Sequence, residues 1–227
     1  MAALILVSCS EQPTNQYTIT GNLQGLTDST ILVLDPVSHE VEKPLAEFMI
    51  IDGKFTVTDT ISEPRAVHLK IKDKYEGSIF LMLEPGQIQV EGSLRNATVK
   101  GSALTDKYHS LLSVRDALDS IYVANKERFE PIQTTIQEAR KNKDQKKVKE
   151  LIQSDEYQAM LKADKEFFDQ VEKTYDKLFM DNKDSFWGPL MMISLTSYFT
   201  DDMKKTYEDL SQEAKNSYYG KSLLTKK

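Results

Sequence analysis

The chain has 227 residues, with 29 Lys+Arg against 35 Asp+Glu for a net charge of -6, 40% apolar residues and one cysteine. This composition fits one or two globular modules and excludes a disordered tail or a collagen. The acidic balance argues against a long polyanion such as nucleic acid, whose binding needs cations that displace phosphate counterions, and a lone thiol leaves no second for an internal disulfide, a CxxC redox pair or a Cys-rich zinc site.

The first nine residues, Met1-Ala-Ala-Leu-Ile-Leu-Val-Ser-Cys9, are an apolar run that stops at the polar stretch Ser10-Glu-Gln-Pro-Thr-Asn-Gln16. No other segment approaches the roughly 20 apolar residues that a spanning helix needs, so a soluble body is expected. Leu6-Val7-Ser8-Cys9 resembles the lipobox of bacterial lipoproteins, in which the cysteine is lipidated and becomes the new amino terminus. By that resemblance Cys9 is the lipidation site and residues 1–16 are a leader remnant and tether. The body is then held in the cell envelope, facing the periplasm or lying on the outer-membrane surface, because several acyl chains bind far more firmly than one. No Lys or Arg precedes the run, where a secretory signal has a basic region.

Residues 17–101 read as a β module. Tyr17-Thr-Ile-Thr-Gly21 alternates by two, Ile31 to Leu34 is a solid apolar run, and Phe48 to Ile51 faces Phe55 to Val57 across Asp52-Gly53-Lys54, a signal for a tight hairpin. Val67, Leu69 and Ile71 point one way and His68, Lys70 and Lys72 the other; Ile79 to Leu83 and Ile88 to Val90 continue the series. Such spacing predicts an α+β chain that opens with an antiparallel β-sandwich or partly closed barrel.

Residues 102–227 read as a helical module. Leu111, Val114, Leu118, Ile121 and Tyr122 recur at helical intervals, as do Phe168, Val171, Tyr175, Leu178 and Phe179. Glu138 to Glu150 has almost no apolar face, which places the exposed tip of a helical hairpin near Asn142 to Gln145, and Pro131 is expected to kink or restart the first arm. Asp184 or Ser185 is expected to cap a further helix with Pro189 in its first turn, and a last short helix covers about residues 202–210.

Chemistry-bearing patterns are sparse. His39, His68 and His109 are too far apart in sequence for a local metal pair, and Asp181 to Phe186 has Lys183 where a calcium loop needs an oxygen ligand. Glu166, Asp169, Glu172 and Asp176 alternate with Lys162, Lys165, Lys173 and Lys177, the pattern of a solvated helix face rather than of a general acid/base pair. Trp187, beside Phe186, and the pairs Tyr198-Phe199 and Tyr218-Tyr219 are expected to pack within or between modules more than to form a ligand platform. The triplets at Asp28-Ser29-Thr30, Asp59-Thr60-Ile61 and Asp119-Ser120-Ile121 resemble a short bacterial O-glycosylation acceptor. No residue is assigned to catalysis, to a cofactor or to a metal.

The order of Tyr17-Thr-Ile-Thr-Gly21, Ile51-Asp-Gly-Lys-Phe55, Glu84-Pro-Gly-Gln-Ile-Gln-Val90, Val99-Lys-Gly-Ser102 and Tyr218-Tyr-Gly-Lys221 resembles the amino-terminal domain of unknown function that precedes the thioredoxin-like domain in lipid-anchored bacterial disulfide reductases. In that family the Trp-Cys-x-x-Cys follows the Tyr-Gly-Lys region, so none of its redox residues maps onto this sequence. The expectation is a non-catalytic, lipid-anchored module that recognises a periplasmic protein partner or a ligand. The alternative is the amino-terminal, non-catalytic part of a thioredoxin-like thiol:disulfide oxidoreductase.

Overall fold

The computed structural model describes residues 14–38, 41–196 and 201–224; Cys9, His39 and the Tyr198-Phe199 pair lie outside them. The chain divides into two compact units, one running through Tyr108 and taking in the residues from Ser222 onward, the other spanning His109–Lys221.

In the first unit, eight strands form two four-stranded sheets. The strands are β1 (Gln16–Leu23), β2 (Ile31–Pro36), β3 (Ala46–Met49), β4 (Lys54–Thr60), β5 (Arg65–Ile71), β6 (Ser78–Leu83), β7 (Gly86–Ser93) and β8 (Asn96–Lys100). One sheet has the order β4-β1-β7-β8 and the other β3-β2-β5-β6. Period-two alternation sends Ile19, Ile88 and Val90 from the first sheet and Leu32, Leu34, Leu69 and Leu81 from the second into one buried apolar core. A sandwich of mostly antiparallel strands therefore agrees with the expectation. The exception is the central pair β1–β7, which is parallel, with Ile19 opposite Ile88.

The Asp52-Gly53 turn forms as predicted, with φ values of 52° and 73° at its two central residues and a bridge from Ile51 to Lys54. The hairpin beyond it does not. β3 pairs with β2 in one sheet, while β4 pairs with β1 in the other. Each arm finds a longer partner elsewhere, so the turn carries the chain from sheet to sheet, and Phe48 and Phe55 keep the arms in contact inside the core with ring centroids 5.0 Å apart. Phe55 lies over Gly21, its cross-strand partner; a Cβ there would sit 2.0 Å from the ring.

The open edge of β6 is closed by the start of α1 (Ala103–Leu112). The Met82 N–H donates to Thr105 Oγ1 at 2.9 Å, the two hydroxyls of Thr105 and Ser102 share a hydrogen bond at 2.7 Å, and Ser102 Oγ donates to the Met82 carbonyl at 3.2 Å. If Thr105 donates to Ser102, the ring closes with every proton used. Ser102 Oγ also accepts the Thr105 N–H, capping the helix, and Glu84 accepts the Leu104 N–H at 2.9 Å. An edge strand that could otherwise pair with another chain is covered in this way.

In the second unit, α2 (Val114–Lys141) and α4 (Asp155–Asp181) run antiparallel, joined at the tip by α3 (Gln145–Ile152). Phe129, Ile132, Ile136 and Met160 form the core of the hairpin. The turn at residues 142–144 lies where the polar stretch predicts it, but the returning arm is broken at Gln153-Ser154, where Ser154 caps α4 by accepting the Tyr157 N–H. Pro131 neither ends nor restarts the first arm; α2 continues through it, with Pro131 exposed.

Short helices follow: α5 (Trp187–Leu195), α6 (Asp201–Glu208), α7 (Gln212–Asn216) and α8 (Tyr218–Leu224). Contrary to expectation, neither Asp184 nor Ser185 caps α5. Its N-cap residue is Phe186, which makes no side-chain cap, and the Ser185 hydroxyl is directed to the Asn182 carbonyl. The helix starts instead from buried apolar contacts. Trp187, Leu190, Met191 and Tyr219 are all buried, and Phe186 stacks on Trp187 at 4.8 Å. Among the described residues no helix is long and apolar enough to cross a membrane.

Candidate functional site

The outer face of the β3-β2-β5-β6 sheet changes character along its strands. Towards one end it is apolar: Phe80 stacks on Tyr108 of α1 with centroids 3.8 Å apart, and Ala66 and Met82 are fully buried. Towards the other end it is polar and open. Strand register fixes the polar rows, with Glu47, Val33, Lys70 and Ser78 in line across all four strands and Asp35, His68 and Phe80 in the next row.

Of these rows, Val33, Asp35, Glu47 and Lys70 form the floor of a groove of about 690 Å³, lined also by Lys43, Pro44, Lys72, Asp73, Lys74 and Tyr75, and adjoined by a smaller hollow of about 290 Å³ at His68, Gly77 and Ser78. Two diagonal ion pairs hold the floor. Lys70 pairs with Asp35, and Lys72 reaches both Glu47 oxygens at 2.8 Å. The Lys72–Glu47 hydrogen bonds raise the lysine pKa above its ordinary value, with the Glu47 charge adding to the effect. The Lys72–Glu47 pair is open to solvent and the Lys70–Asp35 pair part-buried, so they fix side-chain positions more than they add stability. Around them the rim carries Lys43, Lys74 and a fully exposed Tyr75. The groove thus gathers four lysines among Asp35, Glu47 and Asp73, with Lys74 in turn 3.4 Å from Glu76, so its charges are closely balanced and Lys43 stands at the rim beside the exposed ring.

His68 is half-buried, its ring edge-on to Phe80 at 5.8 Å and its Nδ1 3.2 Å from Ser78 Oγ. Burial lowers its pKa below the ordinary 6.5; Asp35 works against this, and Lys70 adds to it. A neutral imidazole touching a serine hydroxyl is the beginning of a nucleophile–base pair. Catalysis of that kind needs the base oriented in turn by a third group, and here the Asp35 carboxylate is committed to Lys70. The arrangement is suited to hydrogen-bonding recognition.

Other sequence candidates separate from this groove. His109 is exposed on α1. Glu166, Asp169, Glu172 and Asp176 are exposed along α4, with Lys162 3.8 Å from Glu166 as a surface pair. The Lys-rich tip is exposed throughout residues 140–147. Ser29 lies in a turn with φ 68° and Thr60 at the exposed end of β4, whereas the Ser120 hydroxyl is tied to the Asp116 carbonyl inside α2. Sequence reading placed His68, Lys70 and Lys72 on one outward face but missed Lys43, Lys74 and Tyr75 as their neighbours. The period-two series Lys70, Lys72, Lys74 was the available signal.

No curated protein and no solved structure is significantly similar to the chain. Residues 17–108, the segment that holds both sheets, the groove and the Ser102–Thr105 closure, match the family described as Domain of unknown function (DUF4369).

Proposed function

We propose that this chain is a non-catalytic, lipid-anchored protein of the cell envelope, attached through Cys9 and facing the periplasm, whose β-sandwich recognises an acidic partner. The observation that carries the recognition role is the lysine-rich groove with its exposed Tyr75. Its volume lies in the range of ligand sites; Lys43 and the ring face outward to meet carboxylates on a periplasmic protein, and Lys74, exposed and 3.4 Å from Glu76, can exchange that surface pair for a partner's carboxylate. Anchoring raises the effective concentration near the membrane, so weak contacts suffice.

Anisotropy of a dye-labelled, glutamate-rich peptide titrated with the full chain carrying Cys9→Ser tests this reading. Binding that weakens with salt, and falls at least about tenfold in Lys43→Glu/Lys74→Glu, is expected. Equal binding by the two proteins would contradict it. The anchor is tested separately by palmitate labelling of intact cells, which Cys9→Ala should abolish.

A second reading rests on the order of the short motifs from Tyr17-Thr-Ile-Thr-Gly21 to Tyr218-Tyr-Gly-Lys221, in which the chain is the amino-terminal, non-catalytic part of a thioredoxin-like thiol:disulfide oxidoreductase or works beside one. With a single cysteine this chain supplies no dithiol of its own. Insulin reduction by the purified protein above a Cys9→Ser control would oppose a non-catalytic role.

A further inference from the structure

The helical hairpin is incompletely packed at mid-length. On α2, Leu118 and then Phe129 are buried, with nothing fully buried between them; on α4 the same is true between Met160 and Leu178. The intervening stretch contains large apolar side chains that remain in solvent: Tyr122 is 55% exposed, Phe168 65%, Val123 49% and Leu161 44%. Tyr122 meets Phe167 at 5.9 Å and Phe167 meets Phe168 at 5.6 Å, so the aromatics form one surface. Between the helices lies a groove of about 280 Å³ with Phe129 and Met160 at its end, Lys126 on the α2 wall and Asp164 on the α4 wall. Because Tyr122 faces Phe167 and Phe129 faces Met160, Lys126 and Asp164 stand at nearly the same level on opposite walls.

That charge arrangement selects an occupant. We propose that the groove is the interface with a second copy of this chain, related by a two-fold axis along the hairpin, so that α2 of each copy lies on α4 of the other. Lys126 then meets the Asp164 of its neighbour twice over, and every pair of adjacent helices runs antiparallel, as in an up-down four-helix bundle. Placing α2 on α2 instead would set Lys126 against Lys126. Two helices of 28 and 27 residues supply half of such a bundle, and the missing half-core falls where the hairpin's own packing fails.

Sedimentation velocity of the full chain carrying Cys9→Ser, over two decades of concentration up to roughly 200 µM, reads the association. A reversible monomer–dimer equilibrium is expected, weakened at least about tenfold by Phe168→Glu and by the milder Tyr122→Ser, with unchanged helical circular dichroism showing that the variants fold. The charge pairing has its own test. Lys126→Glu and Asp164→Lys chains should each self-associate poorly yet form a heterodimer when mixed, because both cross-pairs then become complementary. That rescue cannot come from a contact within one chain. A monomer throughout the range, or a dimer indifferent to Phe168, Tyr122 and both charges, overturns the proposal.

Discussion

Ser102 and Thr105 are among the few buried polar side chains of the described residues, and both serve a single backbone position on β6. Thr105→Val keeps the shape but strands the Met82 N–H, so a loss of about 1–3 kcal/mol is expected. Amide hydrogen exchange along β6 measures this locally, and a change below about 0.5 kcal/mol would contradict the role assigned to the hydroxyl. His68 makes a prediction of opposite chemistry. Its pKa is lower in the folded protein than the ordinary 6.5, so as pH falls below that value the unfolded chain takes up the proton first and stability declines, until the folded-state pKa is passed. Above 6.5 the imidazole is neutral in both states and contributes no slope. Urea midpoints between about pH 8 and pH 5 should fall less steeply in His68→Gln than in the parent; parallel profiles would show that the ring, facing Asp35 and Lys70, is not responsible.

At the scale of elements, local signals were read well and pairings less well. Asp52-Gly53 announces positive φ because few residues other than Asn, Asp and Gly tolerate it, and the turn is there. Which strands its arms join is decided by β1 and β2, distant in sequence, and no local pattern encodes that choice. The parallel β1–β7 pair was illegible for the same reason. Helical periodicity located the hairpin arms and their polar tip. The break at Ser154 had a signal that went unused: Ser154-Asp155-Glu156 ahead of an apolar-periodic run is an N-terminal cap pattern. Ser154→Ala should cost the helical unit about 0.5–2 kcal/mol. Trp187, the only tryptophan and buried in that unit, reports the unfolding by fluorescence. An unchanged midpoint would mean that the capping bond adds nothing to stability.

Across the whole molecule, a β-rich half followed by a helical half was legible because glycine and β-branched residues crowd one part and helical periodicity the other. The groove was not legible as a site. It draws Asp35, Glu47, Lys70 and Lys74 from strands and turns that only the fold brings together, and each alone is an ordinary surface charge. What distinguishes the groove is a cluster of four lysines around an exposed aromatic ring on a chain whose net charge is -6, and the proposal is that this face meets an acidic partner. The most direct measurement of this claim is a ¹H–¹⁵N correlation titration of the chain carrying Cys9→Ser with a glutamate-rich peptide. The account predicts salt-sensitive shifts concentrated at Lys43, Lys70, Lys72, Lys74 and Tyr75; shifts confined to the Lys-rich helical tip, or none at all, would contradict it.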